Sequence, residues 1–134
     1  MAEHHEGLIY AMVLSSAADR EMTDSELQSM GAMVRNLPVF DGFDEEELPI
    51  ATRACAELLN AEDGLEQAIE FIRTKVPARL YETAYAISCD VVAADGSASQ
   101  EELRLLEMIR HSLDIDRLVA AGIERGARAR HMPG

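Results

Sequence analysis

At 134 residues the chain is sized for one domain that can bury a real core. Its 48% apolar content excludes a disordered tail, and 4% aromatics beside abundant Ala, Leu, Met and Glu favour an all-helical fold. The net charge of −13 divides into −16 over the first 116 residues and +3 over the rest. Such a field repels nucleic acid and anionic membranes and favours cations or a basic protein partner.

The first predicted helix covers about Glu6 to Ala18, with Ile9, Met12, Val13 and Ser16 at i, i+3, i+4, i+7 spacing. His4 and His5 precede it and read as a solvated pair. Asp19 closes it. A carboxylate at a helix C-terminus opposes the macrodipole, so an Asx-turn or a ligand must account for it. The second helix runs from about Asp24 to Asn36, with Thr23 as cap, Glu26 at the third position, and Leu27, Met30, Met33, Val34 and Leu37 on its apolar face. Pro38 ends it, and Phe40 and Phe43 in the following connection are placed to plug the core. The third helix starts near Asp44, where Asp44-Glu45-Glu46-Glu47 suits the dipole of a helix start. It carries Ile50, Ala54 and Leu58 to about Ala61.

The fourth helix spans about Gly64 to Val76, with Leu65, Ile69, Ile72 and Val76 on one face. Pro77 opens the fifth, which runs to about Ala94. It is apolar on more than one side, through Leu80, Ala84, Ile87 and Val91 and through Tyr81, Tyr85 and Val92. That pattern marks it as the expected central helix. Asp90 interrupts it and needs a partner. The sixth helix spans about Gln100 to Ser112 with Leu103, Leu106, Ile109 and Leu113 inward. The seventh spans about Ile115 to Ala127 with Leu118, Ile123 and Ala127 inward, and the end from Arg128 is expected to fray. Cys55 and Cys89 lack metal-site spacing and read as reduced core thiols. Glu3 and Glu6 flank the first apolar run, with no basic segment before it, and no run reaches the ~18 residues of a membrane span. The expected compartment is the cytoplasm.

One layout occurs twice. Ala17-Ala18-Asp19 followed by Glu26-Leu27 recurs as Ala93-Ala94-Asp95 followed by Glu102-Leu103, at a constant offset of 76 residues. Thr23 recurs as Ser99, so both copies carry a capping-box pattern. The second copy has Asp95-Gly96, a turn dipeptide. A duplicated helix-turn-helix packed about a pseudo-twofold would bring Asp19, Glu26, Asp95 and Glu102 together as a hard-oxygen site for a divalent cation such as Ca, Mg or Mn. The alternative is that the Asp residues make turns and the Glu residues make caps. An EF-hand is excluded, because Val91 and Ala93 would occupy its first two ligand positions. A di-iron bundle needs two Glu-x-x-His pairs, whereas Glu107 and His111 stand alone at i, i+4. No Ser-His-Asp or Cys-His grouping and no phosphate loop is visible.

Ala93-Ala94-Asp95-Gly96 with Glu101-Glu102-Leu103, together with Ala17-Ala18-Asp19 and Glu26-Leu27, resembles the signature of the tellurite-resistance TerB-like family over about residues 5–125. The resemblance implies a compact all-α cytoplasmic domain of about seven helices, an acidic metal-binding centre and a link to tellurite or other chemical stress. The chain departs from the pattern at Arg20, where the first copy would have Gly. The function expected is therefore non-enzymatic divalent-cation binding by one domain spanning residues 1–134. The alternative is a metal-free interaction domain whose acidic face binds a basic protein.

Overall fold

The computed structural model describes residues 1–16, 24–94 and 98–134. Among them the chain forms seven α-helices and no strand: α1 Glu3–Ser16, α2 Asp24–Asn36, α3 Leu48–Leu59, α4 Gly64–Lys75, α5 Tyr81–Ala94, α6 Gln100–Ser112 and α7 Arg117–Arg130. Short 3-10 turns at Pro38–Phe40, Glu45–Glu47 and Ala78–Leu80 precede or join them. The all-α expectation holds, and α2 and α6 have the expected bounds.

The central helix is α1, not α5. Leu8, Ile9, Ala11 and Met12 are fully buried, and every residue from Gly7 to Ser16 lies in the interior. The expected stripe of Ile9, Met12, Val13 and Ser16 is one face only. Leu8, Tyr10, Ala11 and Leu14 supply the others, and a helix apolar all round belongs inside. It packs against α3, α4 and α5. The approach to the end of α4 is close: a Cβ at Gly7 would meet Val76 Cγ2 at 2.6 Å. Its polar residues are satisfied locally. Ser15 donates to the Ala11 carbonyl at 2.8 Å and Ser16 to that of Val13 at 3.3 Å. In α5, Ala84, Tyr85, Ile87, Ser88, Cys89, Val91 and Val92 are buried, between α1 on one side and α6 and α7 on others.

His5 is not solvated. It is buried within α1, its Nε2 donates to the Val39 carbonyl at 3.0 Å, and its ring stacks on Phe40 with centroids 5.7 Å apart. Phe43 meets the same ring edge-on, so the two phenylalanines plug the core around a histidine.

Three apolar faces are rotated from their expected positions. In α3 the buried residues are Leu48, Ala51 and Cys55, while Ile50 is exposed. The helix starts only after a 3-10 turn that Asp44 caps by accepting from Glu46 N–H at 3.0 Å. In α6, Leu105 and Leu106 point inward and Leu103 is half-exposed. In α7, Leu118 is 82% exposed and small residues, Ala120 and Ala127, make the contact. Both termini of α7 also move: Asp116 caps it, accepting from the N–H groups of Leu118 and Val119, and it continues past Ala127. The stretch from Arg128, expected to fray, begins with further helix.

Candidate functional site

The C-terminal ends of α1 and α5 and the first turns of α2 enclose a small cavity of about 80 Å³. Ser16 comes from α1, Ser25, Glu26 and Ser29 from α2, and Val91 and Ala94 from α5. Room for water-sized guests needs about 10–15 Å³ each, so the space suits small polar species. Glu26 is half-buried in the first turn of α2, where the dipole favours a carboxylate. Serine hydroxyls and a carboxylate are hard oxygen donors, the chemistry that fits a divalent cation of the Ca or Mg kind.

Glu102 has a different setting. It is buried at the third position of α6, where Oε1 accepts from Ser99 N–H at 2.8 Å while Ser99 Oγ accepts from Glu102 N–H at 3.1 Å. This is the capping box expected from Ser99 and Glu102, closed in both directions. Glu102 does not line the cavity that Glu26 lines. Asp19 and Asp95 lie outside the described residues, with Arg20, Thr23 and Gly96. Among the described residues no three His, Cys, Asp or Glu side chains group as a metal centre would need. Ser16 and Ala94, the last described residues before Asp19 and Asp95 in sequence, both line the Glu26 cavity.

Asp90 finds the partner its position in α5 requires. Arg130 Nη2 donates to its Oδ1 at 2.6 Å, and His131 Nε2 stands 3.5 Å from the same oxygen. The partner was hidden because it comes from the stretch read as a frayed tail. Tyr85, also on α5, donates its phenol proton to Glu124 Oε2 at 2.5 Å. Burial and that carboxylate hold the phenol well above its ordinary range. A tyrosine in an apolar helix opposite a lone glutamate in a basic one is the signal that could have found this pair. Burial pushes the thiols of Cys55 and Cys89 up to about 12, with Glu124 adding to the effect at Cys89. Both cysteines are free and buried, as their apolar surroundings indicated. Thiols so placed are poor nucleophiles, because the thiolate is the reactive form. Glu107 and His111 approach only to 3.8 Å on the exposed face of α6.

No helix among the described residues is long and apolar enough to cross a membrane. No curated protein and no solved structure matches the chain. In a comparison with protein families, residues 5–123 match the family described as tellurite resistance protein TerB. That match takes in all of α2 to α6, nearly all of α1 and half of α7, and with it the resemblance carried by the two Ala-Ala-Asp motifs becomes an assignment: the chain belongs to the TerB family.

Proposed function

We propose that this TerB-family chain is a non-catalytic, cytoplasmic domain that binds a divalent cation and acts in the response to tellurite or related chemical stress. The observation that supports it best is the shared cavity. Ser16 and Ala94 line one space with Glu26, and in sequence Asp95 follows Ala94 directly and Asp19 follows Ser16 by three residues. Glu102 belongs to the same proposed set through the repeat, which we take as a duplicated helix-turn-helix with approximate twofold symmetry. Its hydrogen bond to Ser99 uses one carboxylate oxygen, and a carboxylate offers about four lone-pair sites. Cation and cap are therefore compatible.

Like charges gathered near one another raise carboxyl pKa values and oppose folding. A bound cation supplies the opposite charge and removes that opposition. Because it binds the folded chain preferentially, it stabilises by about 2.7 kcal/mol at a hundredfold excess over its dissociation constant. Thermal melting with and without millimolar Ca²⁺, Mg²⁺ or Mn²⁺ tests this directly. The wild type should melt higher with at least one cation. Asp19→Asn and Asp95→Asn should each lose most of that rise while keeping the helical circular dichroism. Absence of any cation-dependent rise in the wild type would overturn the reading in favour of an acidic face that binds a basic protein.

A further inference from the structure

A second concavity, of about 680 Å³, lies on the other side of α5, between it, α6, α7 and the residues after α7. Its volume is within the ~300–1,000 Å³ usual for small-molecule sites. Val92, Leu103, Leu106 and Met132 give it apolar walls, and two of them are unusually open, Leu103 at 49% and Met132 at 66%. Large apolar side chains left uncovered beside a concave surface mark a place where something else completes the packing.

The charge around this groove runs against that of the chain. Arg110, Arg117 and Arg128 line it, in a protein whose first 116 residues carry −16. Two glutamates also line it, and both have partners: Glu124 accepts from Tyr85, and Glu107 stands 3.8 Å from His111. Arg110 lies 3.1 Å from His111 Nε2, and His131 leans to Asp90 at 3.5 Å. Among the described residues neither Arg117 nor Arg128 has an ion-pair partner. The groove thus combines apolar walls with two uncommitted guanidinium groups, which bind carboxylate as a charge-assisted and often bidentate pair.

We infer that this groove binds a free, single-chain amphiphilic carboxylate, with its alkyl chain against Val92, Leu103, Leu106 and Met132 and its head group on Arg117 and Arg128. A neutral amphiphile would leave both arginines unanswered, and a cationic one would meet them with like charge. The inference does not depend on the cation site, whose lining residues, Ser16, Glu26, Val91 and Ala94 among them, are not those of the groove.

The test is titration calorimetry of the full chain with monomeric laurate, 1-dodecanol and dodecyltrimethylammonium. Laurate should bind at least about tenfold more tightly than either neutral or cationic analogue. R117Q/R128Q should lose about tenfold in laurate affinity while keeping that for dodecanol. Leu103→Gln, a change at a half-exposed position that folding tolerates, should weaken laurate and dodecanol alike. Arg53→Gln, on exposed α3 surface away from the groove, should change neither. Equal laurate affinity in wild type and R117Q/R128Q would overturn the inference, as would no laurate binding in its monomeric range. Preference for an acidic amphipathic peptide over laurate would also overturn it, assigning the groove to a protein partner.

Discussion

The α1–α2 and α5–α6 pairs have matching lengths, 14 and 13 residues in each, yet they differ in burial and in what packs around them. Glu102 is buried and closes a capping box with Ser99; Glu26 is half-buried at the edge of a cavity rimmed by serines. The first helix of one pair is buried on all sides, while that of the other keeps Asp90 at the surface for Arg130. The difference teaches that a repeated sequence pattern does not fix how deeply its helices are buried. Burial follows from neighbours: α1 is enclosed by α3, α4 and α5, whereas α5 shares its surroundings with α6, α7 and the groove.

The largest expected effect tests the burial difference. Ile9→Ala removes a fully buried side chain from the helix with no open face and should cost about 2–5 kcal/mol. Leu118→Ala, at an exposed position, should stay within about 0.5 kcal/mol of wild type. Urea midpoints at unchanged slope give both values. Ile87→Ala should resemble Ile9→Ala, because α5 buries that face too. An Ile9→Ala midpoint equal to wild type would deny α1 its central place.

The next effect sharpens the contrast of the two glutamates. Glu102→Ala opens the capping box and should cost about 0.5–2 kcal/mol. Glu26→Ala should cost at least the ~0.3–1 kcal/mol that a helix-start carboxylate is worth. Equal costs would mean that the two copies work alike.

Smaller again is Asp90→Asn. Arg130 is more than half exposed, so solvent screens the pair and the loss should be no more than about 1 kcal/mol. It should shrink further in high salt. Equal destabilisation at low and high salt would place the effect in packing.

The smallest effect concerns pH. Burial, with His4 nearby, holds the His5 pKa below its ordinary 6.5. The unfolded chain therefore takes up a proton first as pH falls. The stability from neutral His5 is fully present above about 6.5 and is lost as pH drops through the lower folded value. His5→Phe should flatten that part of the stability–pH curve, and an unchanged slope would assign it to other groups.

The fold class, the bounds of α2 and α6, the Ser99 cap and the family were legible because each rests on local pattern: periodicity, capping residues and short motifs. The faces of α3, α6 and α7 were not, because choosing among neighbouring apolar residues depends on what packs opposite. Leu118 reads as core by type, but it is exposed and Ala120 is the residue buried there. His5 was misread for the same reason, since only the fold brings Val39 and two phenylalanines to it. Of the candidate carboxylates, Glu102 was legible as a cap, whereas the position of Glu26 beside Ser16 and Ala94 depends on helix packing. Asp90 announced its need for a partner, and the partner arose forty residues away.

The enclosure of α1 has a consequence for the order in which the molecule is made. During synthesis α1 leaves the ribosome before α3, α4 and α5, the elements that cover it. From Gly7 to Leu14 it is an apolar helix with no solvent-compatible side, so until those helices follow it has nothing to shelter it. Chains in that condition expose adhesive surface and depend on holding factors or on rapid late collapse. Formation of the native core is therefore bound to the arrival of α5, beyond the middle of the chain. Truncation before Tyr81 should leave one side of α1 uncovered and yield an aggregating fragment rather than a smaller folded domain.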